Sequence, residues 1–176
     1  MGFLPEVEFL NSRTVEPVNR IPAELVEATC QKMATTPPKK ARKLIDQMQQ
    51  EQPYLMAYLL AAAEREFNRA EAELLYYWGL VIWQIMRQGT PSPRILSPAI
   101  LNKVERDTFK MLKTLGRLKD RDLQKNVELI FQNRNQVEIL KVVLEEIMEE
   151  DDEEIREEYK GMLFLYLHIL VECFDR

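Results

Sequence analysis

One histidine, two cysteines and five glycines in 176 residues exclude a good deal of chemistry. His168 alone cannot supply a histidine-rich metal centre or most acid–base constellations. Cys30 and Cys173 stand far apart and form no CxxC pair. So little glycine argues against Rossmann, P-loop and many-turned β architectures, which place it in tight turns and phosphate loops. GxSxG, Walker A, kinase, zinc-finger and RNP motifs are all absent, and no helix-turn-helix signature stands out. Catalytic residues, metal ligands and cofactors are therefore not expected, and the chain reads as a non-enzyme.

Long hydrophobic runs are missing too. Leu74 to Met86 and Gly161 to Phe174 are the most apolar stretches, and they carry Gln84, His168 and Glu172. Both fall short of the roughly 20 apolar residues that a spanning helix needs, so no membrane span is expected. The first residues lack a basic region followed by an apolar one, and Glu6 stands where a myristoylation signal has Ser or Thr. The expectation is a cytoplasmic protein with two buried thiols.

Charge is present in quantity but unevenly spread. The net charge of -5 argues against a generally basic nucleic-acid binder. Ten acidic residues and one basic lie between Glu145 and Glu158, a local -9, which leaves +4 for the rest. The run Glu149 to Glu154 lacks the Asp-x-Asp-x-Asp-Gly pattern of a calcium loop and reads as a solvated turn.

What remains is helical periodicity. Pro5 and Pro17 interrupt residues 1–20, which read as an extended arm. From residue 21 to 176 a single all-α domain is expected: a bundle or orthogonal array of six to seven helices. Pro22, Thr36-Pro37-Pro38, Pro53 and Ser97-Pro98 each look like a helix start. Asn68 with Glu71 resembles a capping box opening a helix over about 68–88, closed by Gly89; one unbroken helix over 53–88 is the alternative. Leu101, Val104, Thr108, Met111, Leu115 and Leu118 form an amphipathic stripe. Asp120 or Asp122 can cap a further helix running to about 149, whose polar centre from Gln132 to Gln136 leaves its continuity open. A last helix is expected at about 152–174.

Two of these helices are apolar nearly all round. Tyr76, Tyr77, Trp78 and Trp83 spread about one, and the other holds Phe164, Leu167 and their neighbours. A protomer of this size is expected to hide one such helix but hardly two. Tyr77, Trp78, Trp83, Phe164 and Leu167 are therefore the candidate interface or pocket residues, and the expected partner is a second copy, forming a homodimer, or another helical protein. The leading reading is a cytoplasmic interaction or scaffold protein that self-associates through apolar helices. Two alternatives stand beside it: a small apolar ligand bound in the bundle core, and accessory nucleic-acid binding through the basic face of Lys103, Arg106, Lys110, Lys113 and Arg117. His168 and Glu172, four apart, share a helix face but are too few for a di-iron site.

Overall fold

Prolines and polar caps divide the chain. In the computed structural model, which describes residues 18–89, 94–116, 131–132, 134–151 and 153–176, seven helices and no strand are present among the described residues. They are α1 (Ala23–Ala34), α2 (Pro38–Glu51), α3 (Pro53–Glu66), α4 (Arg69–Gly89), α5 (Pro98–Gly116), α6 (Val137–Glu149) and α7 (Glu157–Phe174). The fold is the expected all-α bundle. Pro38, Pro53 and Pro98 are each the first residue of a helix, where a missing N–H costs nothing.

The stretch 53–88 is two helices. Phe67 is extended, and Asn68 accepts a 2.9 Å bond from the Glu71 N–H while its own N–H donates to Glu71 at 2.9 Å. This is the reciprocal capping box read from the sequence. Ser97 likewise caps α5 by accepting from the Ile100 N–H at 3.3 Å. Thr36 does not cap α2. Its hydroxyl donates to the Lys32 carbonyl at 2.7 Å, and Pro37 takes the cap position with no side-chain bond.

Two boundaries move. The last helix starts at Glu157 rather than near 152. Ile155 is held in the core, and the Arg156 N–H donates to Glu71 at 3.1 Å instead of to a helical carbonyl. α6 begins only at Val137, after a turn. The proposed caps Asp120 and Asp122, and Leu118 and Arg117, lie outside the described residues, as does most of the proposed arm. Its described end, Val18 to Arg20, has no regular secondary structure and is pinned down: the Gln136 side chain accepts from the Ile21 N–H and donates to the Asn19 carbonyl, each at 3.1 Å, and Asn135 donates to the Val18 carbonyl at 2.6 Å.

Packing is two-tiered. The short helices α1, α2 and α3 surround α4, and α4, α5 and α6 surround α7. Both apolar helices are thereby covered within one protomer: Trp78 to Trp83 and Leu163 to Cys173 are buried, apart from half-buried Glu172. The expectation that one protomer hides only one of them is overturned, because short amphipathic helices give more covering surface per residue than the size argument assumed. Gly79 lets α3 and α4 close up, since a Cβ there would sit 2.8 Å from Leu59.

Candidate functional site: an apolar groove between α2, α3 and α4

α2 is amphipathic but poor in bulk. Its inward positions are Ala41, Leu44, Ile45 and Met48, and only Met48 is fully buried. The C-terminal end of the helix is tied down. The Gln52 side chain, 1% exposed, donates to the Arg94 carbonyl at 2.8 Å and accepts from the Leu96 N–H at 2.9 Å. Glu51 meets Arg87 of α4 at 3.4 Å. Toward the other end small Ala41 lines a concavity.

The result is a groove of about 320 Å³. Ala41, Ile45 and Met48 form the α2 wall, Met56 and Leu60 the α3 wall, and Tyr76, Tyr77 and Leu80 of α4 the floor, with Glu73 its one charged side chain. Ile45, Leu60 and Tyr77 are 43%, 47% and 38% exposed. Three of the six large apolar side chains left exposed among the described residues thus line one concavity. The volume is at the low end for a small-molecule pocket, and two methionines give its walls an adaptable surface. Burial, with Cys30 and Glu146 nearby, raises the Tyr77 hydroxyl above its usual range.

The outer surface of α2 is charged. Lys39, Lys40, Arg42 and Lys43 are all exposed in the first two turns of α2, and none pairs with a carboxylate among the described residues. They sit at the positive end of the helix dipole, where cations are disfavoured. On the other side, Glu73 and Tyr77 also line a shallow hollow with Glu150, Asp151, Glu154 and Ile155.

Of the five candidate interface or pocket residues named from the sequence, only Tyr77 reaches this groove, beside Tyr76 of the same aromatic cluster. Trp78, Trp83, Phe164 and Leu167 are core residues. Trp78 stacks edge-on against Tyr77 with centroids 5.7 Å apart, and Trp83 lies under the Arg87 guanidinium at 4.6 Å. None of the four is among the residues that line the groove. Lys103, Arg106, Lys110 and Lys113 are exposed on one face of α5, and Arg117 lies outside the described residues. The sequence reading missed Ile45 and Leu60 as surface features. The available signal was α2 itself, where four cations frame an apolar face containing one alanine.

The remaining ionisable groups form structural contacts. Glu71, wholly buried, accepts from Arg156 Nε at 2.8 Å and Nη2 at 2.7 Å, which with the Asn68 N–H holds its carboxyl below the usual range. Arg156 also stacks on Tyr159 at 3.6 Å. Buried Lys160 donates to the Glu150 and Met148 carbonyls at 3.0 and 3.4 Å, closing the end of α6. Burial pushes the Cys30 and Cys173 thiols up to about 11 and about 12, which disfavours their thiolates at neutral pH. His168, 2% exposed, has no hydrogen-bond partner at either nitrogen among the described residues and lies 4.0 Å from Glu172, which Arg134 holds at 2.7 Å. No group of metal-ligating side chains occurs among the described residues, and none of their helices is long and apolar enough to cross a membrane. Comparison with protein-family models, curated proteins and solved structures finds no match to this chain.

Proposed function

We propose that the chain is a non-enzymatic interaction protein that docks the apolar face of a helix in the groove between α2, α3 and α4. The reading rests on one observation: Ile45, Leu60 and Tyr77 stay exposed around a single concavity while the two most apolar helices are covered. Isolated exposed apolar residues need no explanation, but a concave apolar group is the usual form of a helix-docking groove. The free thiols of Cys30 and Cys173 fit a reducing compartment, and the proposed location is the cytoplasm.

The test uses a designed amphipathic helical peptide with leucines on one face and glutamates on its flanks. Saturable binding, read by the emission of Trp78 beneath Tyr77, is expected. Leu60→Glu and Ile45→Glu should abolish it while helical content holds, because both positions already face water. Lys110→Glu, on the exposed face of α5, should leave it unchanged. Binding that ignores the groove substitutions, or no binding at all, refutes the reading. A small apolar ligand in the same groove is the second reading, favoured by its volume; a fluorescent apolar dye displaced by the peptide would report that site.

A further inference from the structure

We propose that the occupant of the groove is an amphipathic segment of another protein that carries lysine or arginine beside its apolar anchors, its cations seated in the acidic hollow next to the groove. This rests on the groove being a docking surface and adds the chemistry of the partner.

The first half of α4 joins the two concavities. Glu73, Tyr76, Tyr77 and Leu80 form the groove floor. Ala70, Glu73, Leu74 and Tyr77 form one side of the hollow, and Glu150, Asp151, Glu154 and Ile155, from the chain just after α6, form the other. At 100° per residue each set of four spans about 100° of the helix, and the two sets overlap at Glu73 and Tyr77. Those two side chains are a shared ridge, with apolar lining on one side and carboxylates on the other. The hollow measures about 270 Å³.

The charge of the hollow is uncompensated. Glu150, Asp151 and Glu154 form no ion pair among the described residues. Glu73 meets Arg69 at 2.9 Å, but the two side chains are 65% and 93% exposed, so the pair adds little. Cations on the neighbouring elements are engaged elsewhere: Arg156 with Glu71 at 2.7 Å, and Lys160 with Glu157 at 2.9 Å and with the Glu150 and Met148 carbonyls. Carboxylates gathered in one concavity repel one another and favour a cation from outside. Tyr77, 38% exposed on the ridge, adds an aromatic ring on which a guanidinium or ammonium is favoured.

This placement selects the partner. An uncharged apolar helix would fill the groove and leave the hollow unsatisfied. An acidic one would meet the hollow with like charge and lose affinity. Residues 1–17 of the chain itself hold three glutamates and one arginine, the wrong sign for it. A segment with apolar anchors and a basic flank satisfies both concavities at once, and charge complementarity of this kind sets partner choice and association rate.

The experiment is titration calorimetry of the full chain at low salt with two peptides: the leucine-faced helix described above, and the same helix with lysines in place of its glutamates. Both should bind in a Leu60-dependent way, the lysine form about tenfold tighter, the sum of a few exposed ion pairs. The preference should shrink at about 1 M salt, where the screening length is roughly 3 Å. D151N/E154Q takes two charges from the hollow and keeps a side-chain acceptor for the Glu153 N–H. It should remove most of the preference while helical content and urea midpoint hold. E24Q/E27Q, on the exposed surface of α1 outside both concavities, takes the same charge from the chain and should leave the preference intact. Equal affinities, a tighter glutamate form, a preference that survives D151N/E154Q, or one lost equally with E24Q/E27Q overturns the proposal. So does a wild-type chain that forms a Leu60-dependent dimer in sedimentation, which makes a second copy the occupant. If both peptides bind alike and need Leu60, the groove remains a docking site and only the basic partner fails; if neither binds, the docking reading falls with it.

Discussion

His168 gives the sharpest test of the interior. It lies in α7 with no hydrogen bond to either ring nitrogen, and burial, assisted by the Arg134 charge, lowers its pKa from 6.5 to about 4. A folded pKa below the unfolded one means that the unfolded chain binds the proton more readily between those values. Stability must therefore fall as pH drops from 6.5 toward 4, with the full penalty present below 4. The gap corresponds to about 3 kcal/mol in total, about 2 kcal/mol at pH 5 and nearly nothing at pH 7. Glu172, raised mainly by its own burial, works in the opposite direction, so wild type alone does not isolate the effect. The difference between wild type and His168→Leu does. The leucine fills similar space and removes two buried nitrogens that lack partners, so the variant should match or exceed wild type at pH 7 by about 1 kcal/mol. Its advantage should widen by about 2 kcal/mol at pH 5, or roughly 1 M in the urea midpoint for a chain of this size. Urea unfolding at both pH values reads this directly. A gap that does not change between pH 7 and pH 5 would show that His168 is solvated or partnered, and the account of the α7 interior would fail.

Other outcomes follow from single contacts. Glu71→Ala removes the side-chain half of the α4 capping box, leaving the Asn68 N–H without its acceptor, and strands Arg156, so it should cost about 2–4 kcal/mol by thermal or urea unfolding. The lowered pKa of Glu71 is stabilising above the ordinary carboxylate range and lost as acid protonates it, so this deficit should shrink in strong acid. Gly79→Ala should destabilise by roughly 1–3 kcal/mol, because its Cβ meets Leu59 in a filled core. Gly161→Ala, with nothing within 4 Å, should stabilise α7 by about 0.5–1 kcal/mol, and a loss there would contradict the open surface around it. Lys160→Met should cost roughly 1–3 kcal/mol by leaving the Glu150 and Met148 carbonyls without their donor.

Much of the fold is local in origin and was legible before any coordinates. Helix starts at Pro38, Pro53 and Pro98, the capping box of Asn68 and Glu71, and the split of 53–88 into two helices all follow from interactions within a few residues. The stripe of Leu101, Val104 and Thr108 is buried as its period requires. Thr36 shows the limit of local reading: a preceding helix turn offered its hydroxyl a nearer acceptor, the Lys32 carbonyl.

The groove was not legible, and neither was the covering of the two apolar helices. Periodicity places Ile45 on an inward stripe with Met48 and cannot say that one will be buried and the other left open. That depended on α2 being anchored at its Gln52 end while Ala41 left the other end unfilled. Likewise the apolar pattern of α4 and α7 demands cover without naming what supplies it. Composition and spacing determined the helices, their caps and their apolar faces, because those depend on neighbours along the chain. Which faces met, and which was left over, depended on how the described helices share one core, a volume constraint between residues far apart in sequence.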